Sequence, residues 1–330
     1  MGEQPTPRSM IKALLRGEQQ ARPLLMPLIF SLGARLENLP LGTFVANPTK
    51  IVNALRQIRA TFKVDGLACY FDPFLEIEAL GGKLEWTSAG ATLSSRPAVQ
   101  NSESLCAQLG SPDHVLTKGR VPVAQEVLRR LKIMLKDEPA LMIGVTGPLT
   151  LASQLWNAPD PPLPVTEFAV GITASLAKHF VEAGADVVFL IENTPLPEKL
   201  EECEWWGNLL DPVINIIRFY EALPVLMLSW GLGRESVQEL TARNWECALC
   251  VNGTAIPGST TASYRTGLSL PHRLFQTEAD LAELLAEVRR NAIELNADFL
   301  TTSADLPADA DIKRVASVLE HFRCALLSPG

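Results

Sequence analysis

Eight times along this chain a short apolar run of strand length recurs, and longer segments with helical spacing lie between the runs. The runs are Leu24–Ile29, Gly66–Tyr70, Leu141–Val145, Asp186–Ile191, Val225–Leu228, Cys247–Val251, a weaker one at Gly267–Leu270, and Asp298–Thr301. Several are apolar at nearly every position, which suits strands covered on both faces rather than on one. Between them, Pro48–Phe62 keeps Ile51, Leu55, Ile58 and Phe62 on one helical face, and Val121–Leu135 does the same with Val127, Leu131 and Leu135. Phe168–Ala183 runs into Gly184, a residue suited to a helix C-cap, and Leu281–Leu295 is again amphipathic. Strands alternating with helices of this kind predict parallel βα units. Eight of them suit a closed α/β barrel, a (β/α)8 TIM barrel, better than an open sheet. Residues 82–120 break the rhythm and read as a long excursion after the second strand, and the prolines of Trp156–Pro164 read as a stiff loop.

A barrel of this type needs roughly 250 residues plus insertions, so the 330 present are expected to form one domain over residues 1–330. Hydrophobic residues make up 47% of the chain, enough for the large core such a fold requires. The net charge of −8, without any basic run, argues against nucleic acid or an anionic membrane surface as partner. The N-terminus lacks the apolar segment of a signal peptide, and no apolar run approaches the roughly 18 residues of a membrane span, so a cytoplasmic location is expected. The six cysteines form no disulfide-type framework. Cys247 and Cys250 sit in a strand pattern, where an i, i+3 pair faces in opposite directions, so a structural role is expected for both.

In such a barrel chemistry gathers at the C-terminal ends of the strands. The residues just past the apolar runs form a polar, net-acidic ring, with Ser31 and Arg35 after the first run, Asp72 after the second, and Thr146 with Gly147 after the third. Glu192 and Asn193, Ser229 and Trp230, Asn252, His272, and Ser303 with Asp305 complete it. Asp72 and Glu192 are the catalytic candidates, because a carboxylate at a buried strand end can acquire a raised pKa and act as acid or base. Asp72 could instead cap the helix that follows it, and Glu192 could be a salt-bridged rim residue. Arg35, Thr146, Gln154, Ser229, Trp230 and Ser303 are the substrate-binding candidates. Trp205 and Trp206 could also form a wall for a flat ligand, although core packing is the commoner role of such residues.

Several of these segments resemble the uroporphyrinogen decarboxylase superfamily. The stretch from Asp65 to Gly82, with Asp72 at a strand end and Glu78-Ala79-Leu80-Gly81 beyond it, resembles the superfamily's acidic segment. Gly119-Arg120-Val121-Pro122 and Thr146-Gly147-Pro148-Leu149-Thr150-Leu151-Ala152 are similar to signatures of its corrinoid-linked methyltransferase branch. Gly184-Ala185-Asp186 and Asp305-Leu306-Pro307 fit as well, so the resemblance extends from about Met10 to Arg323. It implies a (β/α)8 barrel and methyl transfer with a corrinoid (cobalamin). The chain has no Asp-x-His-x-x-Gly segment for binding a corrinoid, so that cofactor is expected on a partner protein.

The resemblance also implies a zinc held by a His-x-Cys pair after the fifth strand and a Cys after the eighth. Leu228, Trp230 and Ala304 stand at those positions, so zinc is not expected, and the substrate need not be a thiol. The decarboxylase branch implies an arginine-rich segment after the first strand, where this chain has only Arg35, and a tyrosine where it has Gln154. The expectation is therefore a methyl-transfer component acting on a small methylated substrate, such as a methoxylated aromatic. A decarboxylase or other lyase of a carboxylated ring is the alternative, as is a non-catalytic barrel that binds a tetrapyrrole or corrinoid.

Overall fold

The computed structural model describes residues 5–87, 90–99, 101–136, 138–156, 160–194, 200–229, 247–252, 265–275 and 281–327. Its strands are β1 (Leu24–Leu25), β2 (Gly66–Tyr70), β3 (Lys83–Thr87), β4 (Gly90–Ser95), β5 (Ala140–Thr146), β6 (Val187–Glu192), β7 (Leu223–Leu228), β8 (Ala248–Asn252), β9 (Thr266–Leu270) and β10 (Phe299–Thr302). The described helices are α1 (Pro7–Leu15), α2 (Leu32–Leu36), α3 (Leu41–Phe44), α4 (Pro48–Phe62), α5 (Leu75–Ala79), α6 (Leu105–Leu109), α7 (Val121–Leu135), α8 (Pro148–Leu155), α9 (Leu163–Ala183), α10 (Leu200–Phe219), α11 (Leu281–Glu294) and α12 (Ile312–Leu327).

Eight strands form one parallel sheet in the order β1-β10-β9-β8-β7-β6-β5-β2. The two ends of that sheet meet, because the Asp65 N–H donates to the Leu25 carbonyl oxygen at 2.8 Å. The sheet is therefore closed, and the fold is the (β/α)8 barrel that the alternation predicts. β2, β5, β6 and β7 are buried at every position, as strands with helices outside and side chains inside must be. Among the described residues no helix is long and apolar enough to cross a membrane.

Three departures from the sequence reading have local causes. β1 ends at Leu25 rather than Ile29, because Pro27 offers no N–H to the ladder and the next donor, Leu28 N–H, turns to the Thr302 hydroxyl at 3.0 Å. Helix α9 begins at Leu163, ahead of Phe168, since Pro164 falls in its first turn, where a missing N–H costs nothing. The excursion over 82–120 contains an antiparallel β3–β4 hairpin, which packs over the barrel mouth through Trp86 against Gly42 of α3.

The opposite, N-terminal rim carries a repeated device. Asp65, Asp186 and Asp298 each stand immediately before a strand of the barrel. Asp186 donates its N–H to the Leu141 carbonyl at 2.8 Å, and its carboxylate accepts the Leu141 N–H at 2.8 Å, so one residue closes both ends of a seam. Asp65 does the same to Leu25, and Asp298 to Thr266. Each carboxylate also meets an arginine, Arg22 on Asp65, Arg8 on Asp186 and Arg265 on Asp298. At the equivalent place before β8 the residue is Cys247, and the position facing it, one before the Val225–Ala248 pair, is Pro224. Proline has no N–H for a carboxylate to accept, so an aspartate there would be left unpaired. The Cys247 thiol instead approaches the Pro224 carbonyl at 3.5 Å. Cys250 lies against the Ser269 hydroxyl at 3.0 Å, and burial pushes both thiols up to about 12, which leaves them inert and structural.

Candidate active site

At the C-terminal ends of the strands lies a cavity of about 440 Å³, within the roughly 300–1,000 Å³ of small-molecule sites. Its walls are mostly apolar and aromatic, with Phe30 after β1, Phe71 and Phe74 after β2, and Trp86 from the hairpin above. The carboxylates on its wall are Asp72 and Asp305, which follow strands on either side of β1, so Phe30 stands between them in barrel order. Among the described residues the lining contains no lysine and no arginine, and His272 is its one basic side chain.

Asp72 is built into a network. One carboxylate oxygen accepts the Phe74 N–H at 2.9 Å, which shapes the turn into α5, and the other pairs with the Arg120 guanidinium. Arg120 also donates to Glu78 at 2.7 Å and to the Tyr70 hydroxyl at 3.2 Å, and it lies 4.8 Å from the centre of the Trp86 ring. The same guanidinium thus holds both the pocket carboxylate and the hairpin that covers the cavity. Arg120 belongs to the Gly119-Arg120-Val121-Pro122 segment, and its sequence signal is one of motif only, because it lies at a helix start remote from any strand end.

Asp305 accepts the Phe30 and Ser31 N–H groups at 2.7 and 2.9 Å. Burial, aided by the negative charge of Asp72, pushes it up to about 7. Glu192 is fully buried behind the cavity, at the N-terminus of α8. It accepts the Leu149 and Thr150 N–H groups at 3.0 and 2.9 Å and the Thr150 hydroxyl at 2.6 Å. Burial pushes it to about 7 against these bonds, with the Trp206 indole also favouring the charged form. Glu76 is likewise pushed by burial to about 7, and its carboxylate takes the N–H and hydroxyl of Thr146 at 2.8 and 2.6 Å.

The other site candidates separate by position. Ser229 and Ser303 line the cavity, and the Ser229 hydroxyl donates to Asn193 on the same wall. Thr146 is occupied with Glu76, and the Gln154 amide donates to the Pro73 carbonyl at 3.0 Å, so both brace the loop that carries Asp72. Arg35 donates to the carbonyls of Asp309 and Ala310 at 3.1 and 2.9 Å and pins the segment after β10. Glu192, Thr146, Gln154 and Arg35 are not among the residues that line the cavity. Trp206 is buried and Trp205 partly exposed, and neither lines it. Trp230 lies outside the described residues.

Of the positions at which the resemblance implies zinc ligands, Leu228 is a buried hydrocarbon and Ala304 contributes a methyl group to the cavity wall. Among the described residues no three His, Cys, Asp or Glu side chains are grouped to hold a metal. These residues do not fit a zinc ion, which requires thiolate, imidazole or carboxylate donors.

Two outcomes follow from the packing around Glu192. A Cβ on Gly147 would fall 2.3 Å from the Glu192 carboxyl carbon, so Gly147→Ala should displace that carboxylate and cost about 1–3 kcal/mol by overpacking, read from urea unfolding. The three acids held near 7 also set a pH dependence. Between about pH 4.5 and 7 they keep protons in the folded state that the unfolded chain has released, so this contribution to stability falls as pH rises through the window. The urea midpoint should be higher at pH 5 than at pH 7.5, and Glu192→Gln should flatten the difference. A midpoint that climbs across the window in the unmodified protein would contradict this assignment.

A closed parallel barrel with its cavity at the C-terminal strand ends defines the class, the (β/α)8 barrels whose sites are built from βα loops. Residues 6–227 match the family model of uroporphyrinogen decarboxylase (URO-D), and the chain belongs to that family. A methyltransferase from Methanosarcina mazei superposes with a TM-score of 0.79 at 16% identity, over 97% of this chain and 100% of that one. A B12-independent methionine synthase from Shewanella sp. W3-18-1 gives 0.50 at 14% identity, over 94% and 98%. No curated protein matches the chain. At these identities the structural likenesses establish the shared fold, and function has to be argued from the site.

Proposed function

We propose that this protein is a methyl-transfer enzyme that binds a small methylated substrate in the mouth cavity and works with a corrinoid carried by a separate protein. The observation that carries this reading is the cavity lining, which is apolar and aromatic, has two carboxylates, and among the described residues has no lysine or arginine. A polycarboxylated porphyrinogen would need cations there to pair with its acid groups. Arg120, the nearest guanidinium to Asp72, is already engaged by Asp72 and Glu78. Family membership and the likeness in fold to a methyltransferase support the reading. The corrinoid supplies the nucleophilic centre that accepts the methyl group. This chain's residues bind the methylated compound, exclude water with the hairpin, and set the charge around the departing group.

The test is methyl exchange. Purified protein incubated with a reduced corrinoid protein and a panel of small methylated compounds, or with methylcobalamin and the demethylated forms of those compounds, should change the corrinoid absorption spectrum. No change with any member of the panel would sink the proposal. A lyase is the second reading, favoured by Asp305 alone, whose carboxyl near 7 on the cavity wall could protonate a carbanion. Release of carbon dioxide from a carboxylated ring compound would support it.

A further inference from the structure

The chemistry of the cavity wall narrows the substrate class, an inference that rests on the methyl-transfer reading for its chemical consequence but not for its binding. We infer that the cavity receives a small methylated cation, a quaternary ammonium or sulfonium group, held between the aromatic side chains Phe71 and Phe74 and the carboxylates of Asp72 and Asp305.

Three independent features point the same way. The first is aromatic. Phe71 and Phe74 are partly exposed, line the cavity, and bracket Asp72 in sequence, so ring surface and carboxylate share one wall. Ring faces attract cations by about 0.5–2 kcal/mol each, more when water is excluded, and they do so without hydrogen bonds, as an N-methyl group requires.

The second is electrostatic. Asp72 and Arg120 form a pair in which both side chains are less than a tenth exposed, and Arg120 meets Glu78 as well. That cluster carries one net negative charge, and Asp305 adds another when ionised. No lysine or arginine among the described lining residues offsets them, and a neutral ligand would leave this field unused.

The third concerns the leaving group. A methyl ether or methyl thioether releases a poor anionic leaving group and needs a metal, or a proton from an acid such as Asp305, to help it. Leu228 and Ala304, at the positions where the resemblance implies zinc ligands, have no donor atoms. A methylated cation needs no such help. Its carbon–nitrogen or carbon–sulfur bond would break with the electron pair staying on nitrogen or sulfur as a neutral amine or thioether, and the methyl group would pass to the nucleophilic centre that a partner's reduced corrinoid would supply. Atoms and charge balance without a proton.

The experiment compares two ligands of one shape. Choline and 3,3-dimethylbutan-1-ol differ in a nitrogen for a carbon, hence in charge and little else. Calorimetric titration of the full-length protein should show choline binding at least about tenfold tighter than its uncharged isostere, the scale of one or two cation–π contacts. Phe74→Leu, which keeps the wall apolar, should lower choline affinity several-fold and leave the isostere unchanged. Asp305→Asn should also cut the preference, and because it removes an acceptor of the Ser31 N–H it is read beside Phe74→Leu rather than alone. Equal or tighter binding of the isostere, no binding of either at millimolar concentration, or a preference that survives both variants would overturn the inference. Its failure is separable from that of the methyl-transfer reading. Methyl exchange with a neutral methoxylated compound and no cation preference removes only the cation. A cation preference without exchange from any methylated cation removes only the methyl transfer.

Discussion

Asp186→Ala should lower the unfolding free energy by about 3–5 kcal/mol, the loss typical when one partner of a buried ion pair is removed. Its carboxylate accepts the Leu141 N–H at 2.8 Å and the Arg8 Nε at 2.9 Å, with both side chains nearly buried, and Lys132 approaches it at 3.5 Å. Alanine leaves the Leu141 donor and the Arg8 guanidinium without this acceptor at a seam between β5 and β6. Asp186→Asn should cost less, since one oxygen can still accept the Leu141 N–H, but the amide cannot neutralise Arg8. Equilibrium unfolding in urea at pH 7 measures all three proteins. If Asp186→Ala lost less than 1 kcal/mol, the seam aspartates would be ornaments of the rim rather than clamps. Cys247→Asp is the informative converse. It would install the missing fourth aspartate opposite Pro224, which has no N–H, and should destabilise the barrel.

The barrel was legible because its cause is periodic. Buried parallel strands must be apolar on both faces and must be separated by helices, and both requirements write themselves into spacing. Seven of the eight barrel strands lie within two residues of their apolar runs at both ends, and two departures in detail, β1 and α9, turn on single prolines. The β3–β4 hairpin was not legible, since none of its strand residues is fully buried and it packs over a mouth whose existence depends on the finished barrel. The seam aspartates were invisible as a repeat for a similar reason, because one acidic residue before each of three strands becomes a pattern only when the strands are side by side.

The site was legible as a ring and not as a division of labour. Strand ends mark Asp72, Ser229 and Ser303, and these line the cavity. A strand end also marks Glu192, yet its side chain turns back onto the N-terminus of α8, where the peptide N–H groups of Leu149 and Thr150 await an acceptor. Which way a carboxylate turns depends on such donors, and they belong to the neighbouring loop. Arg120 lies some fifty positions from Asp72, at the start of α7, and only the fold brings the two together.

Asp72→Asn should weaken binding of a methylated cation by at least about 100-fold, equivalent to about 2.7 kcal/mol. Asparagine retains an oxygen for the Phe74 N–H, so the turn into α5 survives. It no longer balances Arg120, which is left with Glu78 as its sole carboxylate while its guanidinium stays buried beside the cavity wall. The cluster thereby falls from one net negative charge to none, so the substitution removes the field that draws the cation in. That makes the effect larger than removal of Asp305, and it predicts a rescue. Adding Arg120→Met to Asp72→Asn returns the cluster to one net negative charge, on Glu78, so the double variant should recover part of the cation affinity. It should also lose less stability than the sum of the two single changes, each of which breaks a buried pair. Calorimetric titration of choline against the three variants and the unmodified protein, with urea unfolding of each, reads both quantities. A double variant that binds choline no better than Asp72→Asn would show that the carboxylate acts on the ligand directly and that Arg120 merely holds the hairpin through Trp86.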